Sequence, residues 1–351
     1  MRIVVLDDFH HTYEASEGIA RLREIADVTV YTEPAASRAE LLERLRDVPI
    51  VIANRERTPF PADLIAALPR FELLCNTGGH AYHVDLDAAT AAGLALVYAY
   101  STDPATTGLS TAELTFGLMM AIMRRIPQSD RAIRAGDWPL TLGHTLHGKT
   151  LGLLGLGRVG SQVARLAGAF GMPVLAWSAS LTPERAAAAG AEYRDLDALL
   201  AESDVVSVHL ALSARTRGLL DEARLRRLRP TAYLVNTSRG AIVDEAALAR
   251  LLAEGAIAGA ALDVFVEEPL PATHPFTRLD NVVLTAHLGW PTDLTYKTFA
   301  DDSNYQIRKY LAGDYSSVEN PAAIERRPAR LRLEGALAGL PGRDAIETPG
   351  R

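Results

Sequence analysis

Three short runs in the last third of the chain carry groups that could hold a carboxylate and pass a proton. They are Asn236-Thr237-Ser238-Arg239-Gly240, Asp263-Val264-Phe265-Val266-Glu267-Glu268-Pro269 and Thr285-Ala286-His287-Leu288-Gly289-Trp290. An arginine can grip a carboxylate with two parallel hydrogen bonds. A histidine can give or take a proton near neutral pH, and a neighbouring carboxylate fixes its tautomer and favours its charged form. Taken one at a time these residues have plainer readings: Arg239 closing a turn, Glu268 on a solvated surface, His287 hydrogen-bonded in a loop. What sets them apart is that each run follows a strand-like stretch, and in parallel sheets the ligand site lies beyond the carboxyl ends of the strands.

A second kind of chemistry lies upstream. Lys149-Thr150-Leu151-Gly152-Leu153-Leu154 reads as a strand, and Gly155-Leu156-Gly157-Arg158-Val159-Gly160 runs from it into the helical stretch Ser161 to Phe170. Strand, glycine turn and helix in that order form a dinucleotide-binding fingerprint. The first glycine allows the tight turn, the second lets backbone approach a pyrophosphate, and the third lets the helix pack on the strand. The phosphate then meets the amides and dipole of a helix N-terminus. The carboxylate expected about 20 positions on, which would hold a ribose hydroxyl, is missing: the next strand, Val174 to Trp177, ends in Ser178-Ala179-Ser180. A serine binds a ribose hydroxyl without repelling a 2′-phosphate, so NAD is expected and NADP is not excluded, with Arg185 the nearest basic residue.

Elements must position these groups. At 351 residues the chain is long enough for two domains. Its 48% hydrophobic and 23% charged residues are those of a soluble globular protein, and a net charge of −7 without a basic run argues against nucleic acid. A membrane partner is not expected either. One cysteine, Cys75, leaves no internal disulfide and reads as a small buried hydrophobe. No metal-ligand cluster stands out. The N-terminal apolar run is too short for a secretion signal and reads as a strand, so a cytoplasmic protein is expected.

Residues 1 to about 97 alternate strands (Ile3 to Leu6, Val28 to Tyr31, Ile50 to Ala53, Leu73 to Cys75, Ala95 to Val97) with helices at Ser37 to Arg46, Pro61 to Leu68 and Asp85 to Ala92. Such alternation implies a parallel sheet. Its candidate binding loops are Asn54 to Arg57 and Thr77-Gly78-Gly79-His80, where the glycines leave backbone amides uncovered for a carboxylate. Ser110-Thr111-Ala112-Glu113 resembles a helix start and opens an apolar helix through Ile126, expected to dimerise with a second copy. Residues 126 to 147 then cross irregularly. Further strands at Val174 to Trp177, Val205 to His209, Ala232 to Asn236, Ala260 to Val264 and Val282 to Thr285 make a second doubly wound domain inserted into the first, and the helix Tyr296 to Leu311 returns to the first. The expected organisation is residues 1–98 with 291–323 as one domain, 99–290 as the other with its dimerisation helix at about 110–126, and 324–351 as a poorly ordered tail.

These motifs together resemble the D-isomer-specific 2-hydroxyacid dehydrogenases, the family of phosphoglycerate dehydrogenase, glyoxylate and hydroxypyruvate reductases and D-lactate dehydrogenase. The resemblance covers about residues 1 to 323. It is strongest from Gly148 to Trp290, through the glycine fingerprint, the run Asn236 to Asp244, Asp263-Val264-Phe265 with Glu268-Pro269, and His287-Leu288-Gly289-Trp290. It implies an α/β protein of two doubly wound parallel-sheet domains, a Rossmann NAD(P)-binding domain inserted into a flavodoxin-like substrate domain. The implied activity is reversible hydride transfer between NAD(P)H and a 2-oxo or D-2-hydroxy acid.

By that resemblance Arg239 binds the substrate carboxylate and carbonyl, His287 is the proton donor and acceptor, and Glu268 is its partner. Asp263 would face the nicotinamide carboxamide. The cofactor set is Gly155, Leu156, Gly157, Arg158, Val159, Gly160, Ser178, His209, Thr216, Thr237, Ser238, Asp263 and Gly289; the substrate set is Arg55, Thr77, Gly78, Gly79 and Trp290. Ser178 departs from the family's ribose-binding aspartate, and His83 from the small polar residue that relatives place there. Two other readings stay open: a phosphite or other small-anion dehydrogenase of the same superfamily, and a nucleotide-sensing binding protein like the family's co-repressors. Formate dehydrogenases carry glutamine where Glu268 stands, which counts against that activity.

Overall fold

The computed structural model describes residues 1–101, 106, 108–138 and 141–326. The chain divides into two compact units, Met1–Asp103 with Thr292–Arg351, and Pro104–Pro291. In chain order the first unit opens with β1 (Arg2–Val5), α1 (Glu17–Arg23), β2 (Asp27–Val30), α2 (Arg38–Leu45), β3 (Ile50–Ala53), α3 (Ala62–Ala66), β4 (Leu73–Thr77), α4 (Leu86–Ala92) and β5 (Ala95–Ala99). All five strands are parallel in the order β2-β1-β3-β4-β5, the flavodoxin-like arrangement. Ile50–Ala53 and Leu73–Thr77 are buried along their whole length. That explains why they read as unbroken apolar runs rather than alternating ones. Helix α1 was absent from the sequence reading. With only Ile19 and Leu22 to mark a face, its period is too short to see, yet the Ser16 hydroxyl caps Ile19 N.

The second unit begins with α5 (Leu109–Met123) and α6 (Ile126–Arg134), followed by β6 (Leu151–Leu154), α7 (Arg158–Ala169), β7 (Val174–Trp177), α8 (Pro183–Ala188), β8 (Glu192–Tyr193), α9 (Leu196–Glu202), β9 (Val205–Val208), α10 (Glu222–Leu225), β10 (Tyr233–Asn236), α11 (Glu245–Ala253), β11 (Gly259–Leu262) and β12 (Val282–Leu284). Its seven parallel strands run β12-β11-β10-β9-β6-β7-β8. Order therefore reverses at β6, which pairs with β7 on one side and β9 on the other. This is the Rossmann arrangement, and a ligand crevice opens at such a switch point. The chain returns to the first unit as α12 (Asp293–Leu311) and α13 (Ala322–Glu325). In the first unit Gly18 of α1 packs on α12 so closely that a Cβ would lie 2.3 Å from Ala300 O.

Four expectations need correction here. Helix α5 starts at Leu109 behind Gly108, which has φ +81, and no side chain caps it. The Ser110 to Glu113 start signal is not used; Thr111 instead donates from Oγ1 to Gly289 O at 2.7 Å. The helix also stops at Met123, where Arg125 turns left-handed (φ +55), and α6 replaces the expected irregular crossing. Finally, Ala112, Phe116, Met119 and Ile122 of α5 are buried in the second unit's own core with Leu151, Val163, Val235 and Ala261, so most of its apolar surface is already covered there. The expected tail is helical at residues 324 and 325, and from residue 327 it lies outside the described residues. Among the described residues no helix is long and apolar enough to cross a membrane.

Candidate active site

At the carboxyl end of β6 the glycine turn has the form its spacing demands. Gly155 takes φ +103, and a Cβ there would lie 2.5 Å from His209 O. A Cβ on Gly160 would lie 2.1 Å from Gly155 O, which is what lets the first turn of α7 press against the strand end. Gly157, the N-cap of α7, is exposed and a Cβ there meets nothing within 4 Å. Open ground before the amides of a helix N-terminus fits a dinucleotide pyrophosphate. Leu156 and Val159 are half-buried beside it, and Arg158 is exposed as the first residue of α7. Ser178 follows β7 directly, and its carbonyl accepts from Leu181 N.

Beyond β9, His209 turns its ring inward. Its Nε2 lies 2.9 Å from Ser207 Oγ, and burial pushes the ring down to about 4, so it is neutral at physiological pH. Thr216 is half-buried and closes a turn through Ala211 O and Ser213 N. Beyond β10, Thr237 Oγ1 is buried at 3.0 Å from Thr115 Oγ1, and Ser238 Oγ donates to Leu210 O. Both hydroxyls therefore tie this loop to its neighbours. Asn236, which sequence reasoning passed over, donates from Nδ2 to Arg239 O and accepts from Ser238 N, and so shapes the turn that carries Arg239. Arg239 is half-buried, with Nη1 donating to Ser238 O. The next residue must be glycine, because a Cβ at 240 would lie 2.1 Å from Phe265 C.

Asp263 is fully buried just beyond β11, and its carboxylate is engaged by the protein's own loop. Its Oδ1 accepts from Thr285 Oγ1 (2.6 Å) and Leu288 N (2.7 Å), and its Oδ2 from Gly289 N (2.9 Å). Its carbonyl accepts from His287 N at 2.8 Å. One carboxylate thus folds the loop that presents His287. Gly289 is buried in the same network, and Trp290 beside it is half-buried. His287 itself sits at φ +56, a left-handed conformation that a non-glycine residue adopts only when its surroundings impose it.

His287 Nδ1 meets Glu268 Oε2 at 2.8 Å. Because the carboxylate only accepts, Nδ1 carries a proton and Nε2 is the nitrogen left to exchange one. Glu268 Oε1 accepts from Phe265 N at 2.9 Å. Burial works against the charge on Glu268, but the His287 hydrogen bond, the Phe265 amide and the charges of His287 and Arg239 outweigh it and hold the carboxyl below its ordinary range. A guanidinium, a carboxylate and an imidazole thus stand together beyond the strands of one sheet, in the unit that carries the glycine turn.

In the first unit, Thr77 is the last residue of β4, and its Oγ1 accepts from Arg55 N at 3.1 Å. Gly78 (φ +89) does not offer its amide, which donates to Ala99 O at 2.9 Å; this corrects the expectation of uncovered amides at that position. The Arg55 guanidinium lies over Gly78, where a Cβ would be 3.3 Å from Nη1. Arg55, itself left-handed at φ +56, meets Glu56 Oε2 at 3.2 Å. Arg55 Nη2 and Glu56 Oε1 lie against His80 Nε2 at 3.2 and 3.1 Å, and the His80 ring stacks on Tyr82 at 4.6 Å. Gly79 has the Tyr100 ring 3.9 Å from where a Cβ would stand. Burial lowers His83, with Glu56 opposing and Arg55 adding to the shift.

The second unit thus combines a Rossmann sheet and its glycine turn with an arginine, a histidine and a glutamate beyond its strand ends. Residues 116–289 match the model of the D-isomer specific 2-hydroxyacid dehydrogenase NAD-binding domain. The chain is 36% identical over 324 residues to a glyoxylate reductase of Thermofilum pendens, covering 90% of this chain and 93% of that protein. It is 34% identical over 347 residues to a D-3-phosphoglycerate dehydrogenase of Methanocaldococcus jannaschii, covering 97% of this chain and 64% of the other. Among solved structures, a phosphoglycerate oxidoreductase from Vibrio cholerae superposes with a TM-score of 0.78 at 31% identity, covering 89% of this chain and 99% of that one. The chain belongs to the D-isomer-specific 2-hydroxyacid dehydrogenases, which use NAD to move hydride between 2-hydroxy and 2-oxo acids.

Proposed function

We propose that Arg239, His287 and Glu268 carry out this reaction. The observation that carries the reading is the 2.8 Å pair between His287 Nδ1 and Glu268, with the charge of Arg239 acting on the same carboxyl. When bound, NADH supplies the hydride. Arg239 binds and orients the 2-oxo acid through its carboxylate, which makes the approach effectively unimolecular. Protonated His287 gives its Nε2 proton to the carbonyl oxygen, and the two cations stabilise the negative charge that develops there. Glu268 keeps imidazolium favoured and its ring oriented; in the oxidising direction the same nitrogen takes the proton back. Asp263 and Asn236 act as supports that fold the loops bearing His287 and Arg239, and Arg55, Thr77, Gly78 and Gly79 remain the proposed substrate loop of the first unit. Replacing His287 by alanine tests the reading. Turnover of a 2-oxo acid should fall by about 100-fold or more while NADH affinity, followed by fluorescence titration, stays within a few-fold. Near-parental turnover would remove His287 as the acid.

The proposed setting is a cytoplasmic homodimer without nucleic-acid or membrane partners. Support for the dimer comes from the surface beside α5 and α6. A cavity of about 710 Å³ there is lined in part by Met120, Met123, Ile126, Ile133 and Phe170, and in the segment after α6 Trp138 and Leu142 are 79% and 87% exposed. Apolar groups gathered in this way mark interaction surfaces.

A further inference from the structure

Glu245 is the first residue of α11, a place where a carboxylate usually does no more than complement the helix dipole from solvent. Here it is turned inward, with a side chain only 15% exposed. Its Oε1 accepts from Val266 N at 2.8 Å, and its Oε2 lies 3.8 Å from His274 Nε2. His274 Nδ1 accepts from Phe276 N, so in the neutral ring the proton sits on Nε2, on the Glu245 side. The adjoining amide, that of Phe265, holds Glu268. Two carboxylates are thus anchored on consecutive amides of one loop, whose Cα atoms are about 3.8 Å apart.

We propose that Glu245 is a positioning residue for the proton step, a second negative charge behind Glu268 that favours the protonated form of His287. The proposal rests on the roles assigned above to His287 and Glu268. Burial raises the Glu245 carboxyl, the Val266 amide and His274 oppose that, and the charge of Glu268 adds to it. The two acids therefore feel one another, and the negative charge of either favours a proton on His287. Charged and titratable groups around Glu245 are Glu268 and His274, with Arg217, Asp221 and Asp244 lining a cavity of about 580 Å³ on the same side. The charge of Arg239 acts on Glu268 as well. Among the described residues the ion pair of Glu245 is the long 3.8 Å contact with His274, and no arginine pairs with it, so its charge reaches the site.

The test is an NMR titration of the His287 ring in the full-length protein with NAD⁺ present, the resonance assigned by its loss in His287→Ala. Glu245→Gln keeps an acceptor for Val266 N but removes the charge. It should move the titration midpoint down by roughly half a pH unit, the effect of one charge several ångströms away behind partly exposed ground. The high-pH limb of glyoxylate reduction by NADH should move down with it, while the KM for NADH stays within about twofold. Glu245→Asp should restore the midpoint in part. Val266→Lys, a change at a residue 62% exposed in the same cavity wall, should move it in the direction of Glu245→Gln without touching either acid. An unmoved midpoint in both Glu245→Gln and Val266→Lys overturns the proposal. A moved midpoint with no turnover of any 2-oxo acid upholds the charge coupling of Glu245 to His287 and overturns the catalytic roles instead.

Discussion

His287 and Glu268 form a unit in which neither residue does its work alone. Replacing Glu268 by glutamine keeps the shape and a hydrogen bond to Nδ1 but removes the charge that favours imidazolium. Glu268 is held below its ordinary range, so its carboxylate stays charged through neutral pH. Reduction needs the protonated ring, and without the carboxylate that proton leaves at lower pH. The high-pH limb of kcat/KM for reduction should therefore shift down by about one unit in Glu268→Gln; a superimposable profile would contradict the assignment. Arg239→Lys keeps the charge but loses the two-pronged grip. Because a hydrogen bond to a charged group is worth about 1.5–3 kcal/mol, the KM for the 2-oxo acid should rise roughly 10–100-fold. An unchanged KM would place the substrate carboxylate elsewhere.

At the scale of elements, the strand ends were legible because parallel strands buried on both faces are continuous apolar runs with polar residues only at their tips. The glycine turn was legible because close approach at Gly155 and Gly160 tolerates no other residue. Asp263 shows where reading stopped. Its sequence position placed it at a strand tip, but only coordinates show that its oxygens are used by Thr285, Leu288 and Gly289. Thr111 likewise bonds across 178 positions to Gly289 O rather than to its own helix, and no local pattern announces that. Short elements such as α1, α6 and β8 lacked enough turns or pairs to show a period.

Two predictions belong at this scale. Ser178 leaves the tip of β7 without a charge, so NADH and NADPH should differ modestly in KM with one good substrate, and Ser178→Asp should raise the NADPH value at least about tenfold. A parental preference for NADH beyond about a thousandfold, roughly 4 kcal/mol, would mean that another carboxylate rejects the 2′-phosphate. The other concerns α12, where Asp302 Oδ2 is buried without a hydrogen-bond partner in the described residues and burial, with Asp301 adding, raises the carboxyl to about 6. A carboxyl raised on folding costs stability once pH passes its unfolded value, and the full cost is present above its folded value. Asp302→Asn should therefore stabilise the protein by about 2 kcal/mol at pH 8 and by nearly nothing at pH 4. Thermal melts at both pH values check it, and a gain independent of pH would contradict the buried charge.

For the whole molecule, the two parallel sheets followed from alternating strand and helix patterns and their doubly wound type from the family resemblance, whereas self-association did not follow from α5 as composition suggested. Its own unit covers most of that helix, and the apolar surface that remains lies mainly on α6, Phe170 and the segment with Trp138 and Leu142. Light scattering at micromolar concentration should give twice the chain mass, and Ile133→Glu should shift it toward the monomer; a clean monomer in the parent would contradict the dimer. The central claim is that this chain moves hydride between NAD(H) and the 2-carbon of a 2-oxo acid to give the D-hydroxy acid. Its most direct measurement incubates the purified full-length protein with NADH and a panel of 2-oxo acids that includes glyoxylate, pyruvate and hydroxypyruvate, following NADH absorbance and resolving any chiral product. NADH consumption with at least one acid, and only the D-enantiomer wherever the product is chiral, is the expected result. No consumption across the panel, or an L-product, would contradict the account.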